Sequence, residues 1–491
     1  MNGSKAAKSA MWGAVENGGL ALVSFASLII YSRFLSATDF GLFSVVLSVI
    51  ELLGVIVSML FHDALVQREE VNSLHYDSAF TFTLGLSLAL AAGCLLLSPW
   101  FGRLVESDVA ARALRWTALA LPLAAASATL VPEQRRALSF RPLALRSLVG
   151  RLTGALIGIS LVCWGVGMWA LVAQHVLVVF TGSLVLWVTA ASRPRLRYGA
   201  TELRQLIGFG AYAVGSLFIG FAVRRVFTIL VGVRLGGEAA GYLSLAFRAV
   251  DVLWAIAAGA LAQVALPVLS RLQHDPERLR RTYRSALELA CLVLYPCFLG
   301  IAVVAPEVVE LLFGGSWSNA VPYVSALAVL IVVLVPRVLG TTLLNAVGRP
   351  RDGLVAVALD LALLSGLMLT LGGRSIGWAA SIWVFRELAV APVMALVLRR
   401  ATGLGVREQL LGAVVPLVAA LAMAAAVSLV RRALPAELGA LPRLSLLAPF
   451  GAAVFVACAW LTDRSVVARA SSFFAAALRR TRATPEVAAH G

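Results

Sequence analysis

Arg33-Phe-Leu-Ser-Ala-Thr-Asp-Phe-Gly-Leu-Phe-Ser-Val-Val-Leu-Ser-Val-Ile-Glu51 has an echo further along this chain, and that echo decides the fold. About two hundred positions downstream, Leu35 is matched by Leu235, Gly41 by Gly241, Ser44 by Ser244 and Glu51 by Asp251, with Arg33 and Arg234 one position out of step. Later matches keep their order while the offset drifts: Ser78-Ala79 with Ser285-Ala286, Pro99 with Pro306, Pro132 with Pro336, Arg141-Pro142 with Arg349-Pro350, Trp169-Ala170 with Trp378-Ala379. Fixed order with slow drift is what a duplicated set of hydrophobic spans produces when loops gain and lose residues.

Composition agrees. Hydrophobic residues make up 60% of the chain and charged residues 13%, with a mean hydropathy of +0.91, against about 25% charged residues in soluble domains. The expectation is an all-α polytopic membrane protein. At about 20 apolar residues per span, about fourteen spans fit. Six lie near 11–32, 42–61, 78–98, 114–132, 145–164 and 168–190, and six more near 207–233, 242–267, 285–304, 321–345, 353–372 and 376–398. An unrepeated pair follows at 410–430 and 445–462. Six spans return the chain to the side it started from, so the repeats are parallel, related by an axis along the membrane normal. The predicted organisation is an N-terminal lobe (1–191), a cytoplasmic linker (192–206), a C-terminal lobe (207–400), two extra helices (401–463) and a basic cytoplasmic tail (464–491), with a central cavity between the lobes.

A net charge of +16 and a pI near 10.7 would suggest a nucleic-acid partner in a soluble chain. Here the basic runs at Arg135–Arg146, Arg193–Arg204, Arg271–Arg284 and Arg464–Arg482 fall in alternate loops and the tail. That is the positive-inside pattern, with both termini cytoplasmic, and it leaves no excess for nucleic acid to explain. The linker carries Arg193, Arg195, Arg197 and Arg204 and is expected to touch anionic lipid headgroups. Pro306–Trp317 looks like a short amphipathic helix at the interface, with Trp317 at headgroup level. The five cysteines lack metal-ligand spacing and the five histidines lack paired carboxylates, so neither a metal nor a catalytic site is expected. The loops are too short for an extramembrane enzyme.

Ionisable groups inside spans carry the functional signal, because each costs at least about 2.5–3.5 kcal/mol at a helix centre unless it faces a polar cavity or a partner. They are Glu16, Glu51, Arg151, Arg224, Arg225, Arg248, Asp251, Arg337, Asp360 and the pair Arg386-Glu387. Arg224 lies ten residues before Arg234, about 15 Å deep at 1.5 Å per residue, beyond easy snorkelling. Its neighbour Arg225 points about 100° away, so the two need a wide wet face or an acid each. Two readings stay open: a substrate cavity lined by Arg224, Arg225, Arg248, Arg151 and Arg386, or internal pairing with Glu51, Asp251 and Glu387. Glu16, Glu51 and Asp251 are candidates for coupling to H+ or Na+, or for ion pairing. No cofactor is expected.

The ordered set Arg33…Ala37-Thr-Asp-Phe-Gly-Leu42, Ala64-Leu-Val-Gln-Arg68, Leu138-Ser-Phe-Arg-Pro142, Gly167-Met-Trp-Ala-Leu-Val172, Gly241-Tyr-Leu-Ser-Leu-Ala-Phe-Arg248, Pro267-Val-Leu-Ser-Arg-Leu-Gln273 and Leu312-Phe-Gly-Gly-Ser-Trp317 resembles the polysaccharide-transport branch of the multidrug/oligosaccharidyl-lipid/polysaccharide (MOP) exporter superfamily. Within it the chain is similar to the Wzx-type flippases of lipopolysaccharide and exopolysaccharide, the WzxC-like subgroup, from about residue 9 to residue 400. The resemblance implies a bacterial inner-membrane protein without enzymatic chemistry. Its cavity would be lined chiefly by the first, second, seventh and eighth helices, moving an undecaprenyl-diphosphate-linked oligosaccharide to the periplasmic leaflet and working beside a polysaccharide polymerase and export machinery. Sequences of that family often carry an Asp in the tract before Val231-Gly232; Phe227 stands near that place here. Two other functions compete: a small-molecule or multidrug exporter driven by cation antiport, which calls for a cavity of carboxylates and aromatics, and a membrane glycan ligase or polymerase, which calls for a long catalytic periplasmic loop.

Overall fold

The computed structural model describes the backbone of residues 3–462 except 191, 274 and 436, and the side chains of residues 19–462 except those three and 209–214, 216–217, 256–267 and 350. The side chain of Glu16 and the predicted basic tail therefore lie outside the described residues. The described chain forms helices and no strand. Among the described residues, ten helices are long and apolar enough to cross a membrane, or eleven if a pair bent by 45° is one span. The first helix and both arms of the long helix over Ala200–Arg271 are described only in part and stand outside that number, so fourteen spans are compatible with it.

Two compact units make up the chain: Met1–Arg248 with Val357–Trp383, and Ala249–Ala356 with Val384–Gly491. The first unit contains α1 (Gly3–Phe34), α2 (Ala37–Met59), α3 (His62–Gln67), α4 (Ser73–Leu104), α5 (Asp108–Thr117), α6 (Ala120–Ala128), α7 (Leu130–Arg136), α8 (Phe140–Cys163), α9 (Trp169–Thr189) and most of α10 (Ala200–Arg271). Polar residues set the starts of these apolar helices. Ser36 accepts a hydrogen bond from the Asp39 amide at the head of α2, and Ser107 accepts one from the Ala110 amide at the head of α5. Asn72 and His75 close a reciprocal capping box at the head of α4. α10 holds two of the predicted spans in one run, broken where Gly236 takes φ 84° and ψ 176°.

α8 packs along α9 and α1. Gly150, Gly154 and Gly158 recur every fourth residue on α8, and a Cβ at Gly150 or Gly154 would come within 2.8–2.9 Å of the Val178 or Gln174 carbonyl of α9. Small residues at this spacing let two backbones touch, which in a lipid solvent supplies the packing that hydrophobicity does not. Thr153 and Thr181 share a 2.9 Å hydrogen bond across the same seam.

The linker is fastened rather than loose. The Arg195 amide donates to buried Asp77 at 2.8 Å, the Gly199 amide donates to Ser78 at 2.9 Å, and Thr81 donates to the Arg197 carbonyl at 2.9 Å. Leu203 and Leu206, at its far end, are buried with Phe61, Leu65 and Ala79. Asp77→Ala removes a charge-assisted bond of about 1.5–3 kcal/mol. It should raise tryptic cleavage within Arg193–Arg197 by about tenfold in the purified protein; unchanged cleavage would mean the linker is held elsewhere.

The second unit contains the end of α10, α11 (Pro276–Val303), α12 (Ala305–Phe313), α13 (Val321–Val329), α14 (Ile331–Ala346), α17 (Val406–Ala433) and α18 (Ala440–Thr462). α15 (Pro350–Thr370) and α16 (Ile376–Thr402) contribute to both units. The span expected at 321–345 is instead broken at Leu330, between α13 and α14. The core of this unit is built around Tyr283, Tyr295, Phe298, Leu343 and Met423. A cavity of about 460 Å³ lies among α11, α14, α16 and α17. Two expectations for Pro306–Trp317 change. Trp317 is only 1% exposed, so it packs into protein instead of facing headgroups. Glu307, 2% exposed, pairs with Arg431 at 2.7 Å and Arg443 at 3.6 Å. The short helix α12 is thereby bolted to the hairpin joining α17 and α18.

Candidate functional site: an arginine-rich cavity

In the first unit a cavity of about 470 Å³ is lined by Glu51 and Ser58 of α2, Arg146 and Arg151 of α8, His175 of α9 and Arg225 of α10. Its residues on α2 run from Ile50 to Met59, so it occupies the end of the unit away from the α1–α2 turn at residues 35–36. The Arg225 Nε pairs with the Glu51 carboxylate, and the two side chains keep 23% and 36% of their exposure. Arg151 and Arg248 also lie within electrostatic range of Glu51. Among the described residues, three guanidinium groups therefore act on one carboxylate, an excess of positive charge that an anion would compensate.

Two of the arginines are held by aromatic faces. The Arg248 guanidinium carbon sits 4.8 Å from the Phe40 ring centroid and that of Arg224 sits 4.5 Å from Phe247. Phe247 is braced in turn by Phe227 and Trp383, at centroid distances of 5.9 and 4.8 Å. A ring quadrupole attracts and orients a cation over its face. Phe227 is fully buried in this aromatic cluster.

The structure thus brings together Arg151, Arg224, Arg225, Arg248 and Glu51. It separates Arg386, which is 3% exposed in the second unit and lies 3.4 Å from Glu387. Glu387 also pairs with Arg337 at 2.6 Å. Asp251 belongs to the second unit and is exposed. Arg146 and His175 line the cavity without having been singled out as site residues. The signal for Arg146 was Pro142: proline is favoured in a first helical turn, and with α8 beginning at Phe140 rather than near 145, Arg146 lies well inside the helix instead of at its first residues.

A family profile described as "Polysaccharide biosynthesis protein" matches residues 30–322, more than half of the chain. The chain belongs to that family. The succinoglycan biosynthesis transport protein ExoT of Rhizobium meliloti (strain 1021) is 27% identical over 507 residues, covering 100% of this chain and 99% of that one. The lipopolysaccharide biosynthesis protein WzxC of Escherichia coli (strain K12) is 22% identical over 360 residues, covering 72% and 70%. Among solved structures, the lipid II flippase MurJ in an inward closed conformation superposes with a TM-score of 0.76 at 11% identity, over 92% of this chain and 99% of that one. An inward-facing multidrug resistance MATE family transporter of the MOP superfamily gives 0.61 at 15% identity, over 78% and 94%. At those identities the likeness to the two structures is one of fold. This member of the polysaccharide biosynthesis family is accordingly a multi-pass membrane protein with the MOP fold, as the sequence resemblance implied.

Proposed function

We propose that the protein is a flippase that moves an undecaprenyl-diphosphate-linked oligosaccharide from the cytoplasmic to the periplasmic leaflet for surface polysaccharide synthesis. It works as a transporter and makes or breaks no covalent bond. The observation that carries this reading is the cavity lined by Arg146, Arg151 and Arg225, with Glu51 as the one carboxylate among its described lining residues and Arg248 acting on that same carboxylate. A diphosphate cannot cross about 30 Å of hydrocarbon unaided, and the planar forks of arginine bind phosphate oxygens in pairs. The prenyl tail stays in the bilayer while the head passes through the protein. A multidrug exporter would instead call for a cavity of carboxylates and aromatic rings.

In this reading the six-helix lobes 1–191 and 207–400 rock against each other to give alternating access, with the pair in 401–463 outside them. The positive-inside pattern puts both termini in the cytoplasm and the cavity mouth, beside the start of α8 and the end of α2, on the cytoplasmic side of the inner membrane. Glu51 gains a second role. A diphosphate that takes Arg225 releases its carboxylate, which then accepts H+ or Na+, so head-group binding and cation binding are linked; Glu16 and Asp251 are the other carboxylates available for coupling. Polysaccharide polymerase and export machinery would receive the product.

Deleting the gene tests the reading. The expected result is a lipid-linked repeat unit trapped on the cytoplasmic face, inaccessible to glycan-modifying enzymes added from outside, with loss of surface polysaccharide. Normal export in the deletion strain, or a repeat unit that still reaches the outer leaflet, would refute it.

A further inference from the structure

The second cavity, in the unit away from the arginine cluster, has no part in the transport reading, and its walls limit what can fill it. Its lining on α17 runs from Val406 to Leu417, about 16 Å at 1.5 Å per residue and so about half of a 30 Å hydrocarbon core. Leu410 and Val414 of that wall are half exposed, so the cavity opens sideways to lipid. Polar groups in the wall are engaged by the protein. The Tyr295 hydroxyl donates at 3.0 Å to the Val332 carbonyl, which Pro336 leaves without its helical donor. The Gln409 side-chain amide donates to the Ala395 and Leu404 carbonyls, each at 3.0 Å, and Arg337 pairs with Glu387 at 2.6 Å.

A buried water needs two to four polar partners, and this wall has spent its own on itself. An unfilled space would forfeit the dispersion contacts of everything that lines it. The group available at this depth is a lipid chain. At about 30 Å³ for each water-sized group, a cavity of about 460 Å³ takes roughly fifteen methylenes. That is one fatty acyl chain, and it is too little for the whole of an undecaprenyl tail.

Charge at one end of the cavity selects the head group. The α16–α17 turn at residues 403–405 closes that end, and Arg280 of α11 donates to its Gly403 carbonyl at 3.3 Å. Arg407 precedes the lining residues Leu410 and Val414 by three and seven positions, and Arg399 follows Ala395 and Pro392 by four and seven, so both arginines stand on the lining faces of their helices. Both are exposed, as is Arg400. Among the described residues none of these three has a carboxylate within ion-pairing distance, and Glu408 is taken up by the Gly405 amide at 3.0 Å. The loop-charge pattern assigns this turn to the cytoplasmic side.

We propose that the cavity among α11, α14, α16 and α17 is a binding site for an anionic phospholipid of the cytoplasmic leaflet, with one acyl chain inside and the phosphate between Arg399 and Arg407. Because the bilayer is itself apolar, entry of the chain gains packing and little else. Affinity and selectivity therefore come from the head, where two unpaired guanidinium groups meet one phosphodiester. The bound lipid completes the packing of four helices that protein side chains leave incomplete.

The test uses the full-length protein, delipidated in detergent, with native mass spectrometry to count bound lipid. Palmitoyl-oleoyl phosphatidylglycerol should bind about tenfold more tightly than the phosphatidylcholine of the same chains. Arg399→Gln with Arg407→Gln should erase that preference. Val414→Trp, at the lipid-facing mouth, should weaken both lipids, and Arg278→Gln with Arg281→Gln, exposed arginines paired with Asp275 and Glu277, should leave the preference intact. Each variant is first shown to unfold at the wild-type temperature. Equal binding of the two lipids by the wild type overturns the site. So does a preference that survives the Arg399 and Arg407 changes or is lost with Arg278 and Arg281, and so does wild-type binding by Val414→Trp. Tighter binding of undecaprenyl phosphate than of phosphatidylglycerol would assign the cavity to the carrier and overturn it as well. None of these readouts involves export, so this site and the flippase reading fail or stand separately.

Discussion

Arg225→Ala should lower export of the surface polysaccharide by about one to two orders of magnitude while leaving the protein in the membrane at normal abundance. A charge-assisted hydrogen bond is worth about 1.5–3 kcal/mol, and each 1.4 kcal/mol is about tenfold. Folding should survive because Glu51, deprived of Arg225, remains within range of Arg151 and Arg248. Arg225→Lys should recover only part of the activity, since an ammonium offers a point charge and not a fork. The decisive comparison is the double variant Glu51→Ala with Arg225→Ala. Restored export in that variant would mean that Arg225 serves only to neutralise Glu51, and would overturn both its anionic-head role and the coupling role of Glu51. The readout is complementation of a deletion strain, scored by surface polysaccharide and by the lipid-linked repeat unit left inside.

Glu387→Ala should have the largest effect on stability. Glu387, 3% exposed, lies between Arg337 at 2.6 Å and Arg386 at 3.4 Å. Removing one partner of a buried pair leaves charge without compensation, at a cost of about 3–5 kcal/mol. The expected result is a clearly lower thermal unfolding midpoint for the detergent-solubilised protein and reduced abundance in the membrane. Replacing the pair together, Arg337→Met with Glu387→Leu, should restore part of the loss, because it removes the Arg337–Glu387 charges while buried Arg386 still loses Glu387. Full export from a stable Arg337→Met, Glu387→Leu protein would fix this network as structural. A stable double variant that does not export would give it a part in transport.

These two arginine–glutamate pairs also show how far the residues alone could be read. Both were visible as charges misplaced in apolar spans, because the cost of such a charge depends on depth, and depth follows from counting residues along a helix. Which acid met which arginine was not visible. Glu387 is adjacent in sequence to Arg386, yet its shorter contact is to Arg337, fifty positions earlier on α14. Arg225 paired with Glu51 while Arg224, one residue away, turned to the Phe247 ring. Successive residues on a helix point about 100° apart, so a small rotation of one helix about its axis exchanges partners without changing any hydrophobic pattern.

The sequence by itself determined the membrane class, the helical architecture, the duplication and its register, and the family, because each rests on local hydrophobicity, loop charge or ordered matches along the chain. It also marked Arg151, Arg224, Arg225, Arg248 and Glu51 as residues in need of an explanation. Only the tertiary structure decided that these five gather in one unit while Arg386 and Asp251 lie in the other, that the Trp317 side chain is packed in protein, and that Gly41 touches the region of its own repeat partner. The physical reason is that such contacts depend on how helices rotate and slide against one another. In a lipid environment that arrangement is chosen by close packing and polar pairing between helices, terms that no single stretch of sequence contains.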